Sequence, residues 1–362
     1  MITHKDHFHG SDLEKIESVY GIKKEDILSF SANVNPLGIS PLVREQISSH
    51  IDVIASYPDR EYTTLRTAIA NYVHTERDRI IVGNGSTELI SLFVDITRPK
   101  KALILGPTYS EYEREVSLVG GRCSYYPLRN DSHFNLDIDD FCSKLSDDID
   151  LVIICNPNNP TSGCITKREM RQILDVCKQH AIYVMVDETY VEFVRHPEEI
   201  SSVSLTEYYN NIIILRGTSK FFSAPGLRLG YAITGNYDLV KEITQHKNPW
   251  MVGSLAEAAG EIMFSDTDYI EKTRELIDRE RDRMYDLYSE SDRFIPYAPS
   301  ANFLLLEITE DGVTSRMLFD KAIQNRMMIR DCSTFPFLGD KYIRICFMNP
   351  EDNDRLFRVL TN

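Results

Sequence analysis

Five short runs of β-branched and other apolar residues recur along the first two thirds of the chain: Arg79-Ile80-Ile81-Val82, Ala102-Leu103-Ile104-Leu105, Leu151-Val152-Ile153-Ile154, Tyr183-Val184-Met185-Val186 and Asn211-Ile212-Ile213-Ile214-Leu215. Unbroken apolar runs of this length suit strands buried on both faces of a mainly parallel sheet. Between them, residues 88–96 and 167–180 carry apolar side chains at helical spacing. Residues 46–265 are therefore expected to form one α/β three-layer sandwich. The polar stretch 266–292 places Ile270, Leu276, Ile277, Met284 and Leu287 on a helical period and predicts a long connecting helix. Beyond it, strand candidates at 302–306 and 342–347 bracket a helix. This predicts a smaller α+β domain over 266–362, to which part of an N-terminal arm, 1–45, is expected to belong.

Composition narrows the class. A chain of 362 residues that is 42% hydrophobic and 26% charged holds enough apolar surface for about two domains with a substantial core, which excludes disordered and fibrous classes. The formal charge of -15 argues against nucleic acid or an anionic membrane surface as the main partner. The first forty or so residues hold no helix-turn-helix pattern, so a DNA-binding regulator built on this fold is set aside. No window approaches the roughly eighteen apolar residues of a membrane span, and Thr3-His4-Lys5-Asp6-His7-Phe8-His9 is not a signal-peptide core. The seven cysteines form no Cys-x-x-Cys pair and read as reduced thiols. A cytoplasmic protein is expected, with no metal.

In parallel α/β sheets ligands lie beyond the carboxyl ends of the strands, so the residues after each apolar run are chemically informative. The first run leads into Gly83-Asn84-Gly85-Ser86-Thr87-Glu88, where two glycines and two hydroxyls open a helix. Free N–H groups and the positive helix end there suit a phosphate, although an ordinary helix cap satisfies the same pattern. The third run ends in Asn156-Pro157-Asn158-Asn159-Pro160-Thr161-Ser162-Gly163, where prolines fix the backbone and Asn159 can offer an amide donor. The fourth ends in Asp187-Glu188-Thr189-Tyr190. A carboxylate in a sheet end needs a positive partner, which a protonated pyridine nitrogen would be; helix capping is the alternative role. The fifth delivers Lys220 into the small-residue turn Gly217-Thr218-Ser219-Lys220, with Arg228 eight positions on.

A phosphate cradle, an acid for a ring nitrogen, an amide and a phenol for a ring oxygen, and an amine together make up the contacts that pyridoxal phosphate demands. The order and spacing resemble the fold-type-I aminotransferases, whose motifs look like Asn-Pro-x-x-Pro-Thr, Asp-x-x-Tyr and Ser-Lys followed eight residues later by Arg. The resemblance spans about Phe8 to Phe347. It implies that Lys220 carries the cofactor, that Asp187 lies beneath the pyridinium nitrogen, and that Asn159 and Tyr190 hold the ring's phenolic oxygen. It further implies that Ser86, Thr87, Ser219 and Arg228 grip the phosphate and that Tyr109 stacks on the ring. Tyr57 matches an aromatic that reaches the phosphate from a neighbouring subunit, so the resemblance also implies a homodimer.

Within that family the chain most resembles two groups, the histidinol-phosphate aminotransferases and the threonine-phosphate decarboxylases, both of which handle small phosphorylated amines. Arg344 and Arg330 match the arginines that these groups place on the substrate's anion, and arginine forks suit phosphate and carboxylate oxygens. His9-Gly10 followed by Phe30-Ser31-Ala32-Asn33-Val34-Asn35-Pro36-Leu37-Gly38 is similar to the opening of the decarboxylases, which makes His9 and Asn33 candidate substrate contacts. Three features depart from the decarboxylase pattern: Ser11 in place of a second glycine, Gly217 in place of a hydroxyl residue, and Thr161-Ser162-Gly163 in place of Thr-Gly. The expected activity is transamination of a small phosphorylated or otherwise anionic amino compound, with decarboxylation of threonine phosphate as the alternative.

Overall fold

The computed structural model describes residues 12–362. All seven strands expected from the sequence form, within two residues of their expected bounds. Five of them join Arg122–Pro127 and Leu229–Ile233 in a seven-stranded sheet. Its spatial order is Ile80–Asn84, Leu229–Ile233, Ile212–Gly217, Tyr183–Asp187, Leu151–Cys155, Lys101–Gly106 and Arg122–Pro127. Every pairing is parallel except the two made by Leu229–Ile233, which is antiparallel to both neighbours.

Alternation along the central strands divides the core into two layers. Ile212, Ile214, Val184 and Val186 pack on one face against Met170, Ile173 and Leu174 of the helix Lys167–Gln179. Ile213, Leu215 and Met185 pack on the other against Leu89, Ile90 and Phe93 of the helix Gly85–Thr97. Helices on both faces of a mostly parallel sheet give the expected three-layer α/β sandwich.

The long polar stretch forms the helix Thr267–Ser289, capped by the Asp266 side chain, which accepts from Tyr269 N. It leads into an antiparallel four-stranded sheet ordered Arg330–Asp331, Tyr342–Cys346, Phe303–Ile308 and Phe294–Tyr297. The amino-terminal segment is stitched onto this second unit. Leu28–Ser29 pairs in parallel with Met327–Met328, and the Phe30 carbonyl accepts from Cys346 N at 2.8 Å.

From there the chain runs across to the turn that holds Lys220. Asn35 N donates to the Lys220 carbonyl at 3.0 Å, and Asn35 Nδ2 has the Phe221 carbonyl, the Tyr269 hydroxyl and Thr273 Oγ1 all within 2.9 Å. This buried side chain ties the arm, the lysine turn and the long helix together. Removing it leaves buried partners unsatisfied, each an expensive loss. Asn35→Ala is expected to lower unfolding free energy by about 2–3 kcal/mol, read as a shift of the denaturant midpoint at constant slope.

Candidate active site

The carboxyl ends of the parallel strands open on a cavity of about 360 Å³. Asp187 closes its strand at the cavity floor and is 5% exposed. Its Oδ2 accepts from the Tyr112 hydroxyl at 2.6 Å, and its Oδ1 accepts from Thr189 N at 2.9 Å and Thr189 Oγ1 at 2.5 Å. Burial pushes the Tyr112 phenol well above its ordinary pKa, so it serves as a neutral donor. Among the described residues no Lys, Arg or His forms an ion pair with Asp187. A buried carboxylate held only by neutral donors is suited to a cationic ligand atom.

Lys220 stands in the cavity wall, and its Nζ donates to the Ala32 carbonyl at 2.6 Å. Burial, with the nearby Arg344 and Arg228 adding to it, lowers its pKa to about 8, while Cys346 and Asp187 oppose the shift. An amine in that range supplies a substantial neutral fraction near neutrality.

Ser86 and Thr87 begin the helix Gly85–Thr97 on the cavity side, with Gly85 at φ +79°. The antiparallel strand brings Arg228 here, because it starts at the end where its parallel neighbours stop; Gly230 sits opposite Gly217 and Gly83. A Cβ on Gly230 would fall 2.4 Å from Ser86 N, and one on Gly85 would fall 2.2 Å from Arg228 Nη2. The two glycines thus let the helix start, the strand and the guanidinium crowd around one point, with Ser219 on the same wall. Helix N–H groups, hydroxyls and an arginine make an anion cradle.

On the opposite wall, Arg344 Nη1 hydrogen-bonds Asn159 Oδ1, which turns the carboxamide's NH2 outward as a donor. Arg344 Nη2 donates to the Ser31 carbonyl at 2.5 Å, and its Nε is buried without a partner. Arg330 sits directly across the strand pair from Arg344 and donates to Thr334 Oγ1 at 3.2 Å. Burial, then the charge of Arg344, lowers the Arg330 pKa. The charges of Asp331 and Asp12 act on Arg330 in the opposite direction.

Most residues expected from the sequence therefore converge on one cavity: Ser86, Thr87, Tyr109, Asn159, Asp187, Tyr190, Ser219, Lys220, Arg228, Arg330 and Arg344 all line it. Asn33 is fully buried behind the wall, where its Nδ2 donates to the Tyr190 hydroxyl at 3.4 Å. Tyr57 does not reach the cavity of its own chain; it is 82% exposed and packs on Trp250, ring centres 4.9 Å apart. His9 lies outside the described residues. Sequence reasoning missed Tyr112, Thr189 and the Ala32 carbonyl. Thr189, two residues after Asp187, was the more findable, since Asp commonly accepts from the backbone two positions on.

With this geometry in hand, comparison with known proteins identifies the group. The profile of the aminotransferase class I and II family matches residues 25–360, and the chain belongs to that family. A threonine-phosphate decarboxylase of Salmonella typhimurium is 31% identical over 355 residues, 98% of this chain and 96% of that protein. The crystal structure of the histidinol-phosphate aminotransferase from Clostridium acetobutylicum is 33% identical, with a TM-score of 0.85 over 91% of this chain and 97% of that one. The histidinol-phosphate aminotransferase of Sinorhizobium meliloti, solved in complex with pyridoxal 5'-phosphate, shares the fold with a TM-score of 0.86 at 21% identity, over 99% of this chain and 95% of that one. The family is pyridoxal-phosphate-dependent, and this chain is an enzyme of that class. The unpaired Asp187 carboxylate, the anion cradle and the Lys220 amine fit that cofactor.

In the cofactor-free protein, Lys220 is expected to react with an amine-directed acylating reagent with a pH midpoint near 8 rather than near the ordinary 10.5. Because Arg344 contributes to the depression, Arg344→Met should raise that midpoint. Peptide mapping of the label across a pH series checks both.

Proposed function

We propose that this enzyme transfers the amino group of a small amino compound bearing phosphate or a similar anion. The observation that carries the substrate class is the cross-strand pair Arg330 and Arg344, two guanidinium groups on the wall facing the cavity that holds Lys220 and Asp187. The aminotransferase family and the 33% identical histidinol-phosphate aminotransferase support the transfer reaction.

In this reading the cradle of Ser86, Thr87, Ser219 and Arg228 holds the cofactor phosphate, Asn159 and Tyr190 hold its ring oxygen, and Tyr109 covers the ring. Asp187 supplies the fixed negative charge beneath the ring nitrogen. Bound pyridoxal phosphate contributes an electron sink for a bond broken at the substrate's α carbon. Lys220 Nζ, as a free amine, takes the proton from that carbon and returns one to the product, a role its lowered pKa suits. Arg344 and Arg330 orient the substrate by its anion, with His9 as a further candidate contact; Asn33, buried behind the wall, reaches the site through the Tyr190 hydroxyl. Tyr57, exposed and packed on Trp250, would reach the cradle of a second copy, making the enzyme a homodimer. We assign domain limits of 46–265 for the cofactor-binding unit and 266–362 for the smaller one, with 1–45 as the N-terminal arm and part of the smaller domain, and a cytoplasmic location.

Loss of carbon dioxide is the second reading. It is favoured by the 31% identity to the Salmonella typhimurium decarboxylase over nearly the whole chain and by the run Phe30 to Gly38. The two reactions differ in which bond at the α carbon is set to break, so the products separate them. In a single turnover with O-phosphothreonine or histidinol phosphate and no keto acid, transamination leaves pyridoxamine phosphate and no carbon dioxide. Carbon dioxide with pyridoxal phosphate regenerated would establish the decarboxylase instead. Lys220→Ala is expected to lower either turnover by at least about 10³-fold.

A further inference from the structure

Behind the site, on the face of the sheet away from Asp187, lies a buried group of charges that the proposed chemistry does not use. Arg216 donates from Nε and Nη2 to Glu188 Oε2 at 3.1 and 2.8 Å, and the two side chains are 8% and 0% exposed. Glu188 is completed by Ser202 N, which donates to its Oε1 at 2.6 Å, and by Ser201 Oγ at 3.1 Å. Ser201 Oγ in turn accepts from Arg216 Nη2 at 2.8 Å. A second acid, Glu192, lies 3.8 Å from Arg216 Nη1, and neither of its oxygens has a hydrogen-bond partner.

The position of this pair in the chain is what gives it meaning. Glu188 directly follows Asp187, and Arg216 lies four residues before Lys220. Asp187 opposite Leu215 is the last matched pair of the two parallel strands, and the ladder ends with Glu188 N donating to the Leu215 carbonyl at 2.8 Å. Beyond that bond the two chains separate, one towards Tyr190 and the other through Gly217 to Lys220. Gly217 has no side chain to fix it and meets nothing closer than 3.7 Å at its Cβ position. On the other side this stretch stays paired to the reversed strand, Gly217 opposite Gly230 and Thr218 N donating to the Leu229 carbonyl at 3.0 Å, so the side left to side chains is the one facing Glu188. A buried guanidinium that gives two N–H bonds to one carboxylate oxygen, while Ser202 N holds the other oxygen, restrains that junction in both distance and angle.

We propose that Arg216 and Glu188 are positioning residues, a buried clip that fixes the spacing between the Asp187 carboxylate and the Lys220 amine from behind the sheet. The clip rests on the proposed roles of those two groups. It acts through them, and errors of about an ångström in such spacing cost one to two powers of ten in rate.

The test uses Arg216→Met, Glu188→Gln and their combination. Each single variant leaves a buried group without its partner and is expected to lose thermal stability. The double variant removes both charges, so its unfolding temperature should return towards that of the wild type. Its Lys220 labelling midpoint in the cofactor-free state should nevertheless move from about 8, the value set by burial, Arg344, Arg228, Cys346 and Asp187. The pH midpoint of the bound cofactor's absorbance should move with it, and kcat should fall about ten- to a hundredfold with KM little changed. Wild-type midpoints in the folded double variant would overturn the clip. Should the double variant not fold, Glu188→Asp keeps the charge and shortens the reach, and the same shift or its absence decides. Asp187→Asn separates the two levels of inference. If it leaves the cofactor's absorbance unchanged, the site assignment itself fails; if it alters that absorbance while the clip variants do not, only the clip fails.

Discussion

A carboxylate buried at the end of a parallel strand and, among the described residues, in no ion pair is the constraint around which the rest of this structure is arranged. Asp187 keeps its place because Tyr112 and the Thr189 backbone and hydroxyl satisfy its oxygens without neutralising it. That arrangement stores a fixed negative charge at the floor of a cavity. It is useful only to a ligand that brings a positive atom to it. The depressed amine of Lys220 and the unpartnered Nε of Arg344 are further polar groups in that cavity that a ligand can engage.

Topology explains how so many distant residues meet. Parallel strands deliver their following loops to one edge, which brings Asn159, Asp187 and Ser219-Lys220 together despite long separations in the chain. The single reversed strand, Leu229–Ile233, does the complementary job by starting at that edge, so Arg228 arrives from the opposite chain direction. The amino-terminal arm closes the remaining side. It is anchored on the second sheet through Phe30 and on the lysine turn through Asn35, so the cavity is built from both sheets at once.

Much of this was legible in the sequence. Continuous apolar runs announced the central strands, and the polar residues after them announced the cavity, because both signals are local. The strands Leu229–Ile233 and Arg122–Pro127 were not announced. The first, Leu-Gly-Tyr-Ala-Ile, is interrupted by a glycine, and the second, Arg-Cys-Ser-Tyr-Tyr-Pro, is half-exposed and lacks an apolar run. The Arg330 and Arg344 candidates came from the family resemblance, but their face-to-face placement came only from the strand register. Tyr112 was invisible for the same reason: nothing near it in the chain shows that its hydroxyl reaches Asp187, 75 residues away. What remained hidden was the set of pairings made between elements, which no local pattern encodes.

The central claim is that Lys220 carries the cofactor over the Asp187 carboxylate. Borohydride reduction of the cofactor-loaded protein, followed by peptide mass mapping, tests it most directly. The account predicts one pyridoxyl group per chain, on the peptide containing Ser219-Lys220-Phe221, and none in Lys220→Ala. A pyridoxyl group on another lysine, or a loaded protein that reduction leaves unmodified, would contradict it.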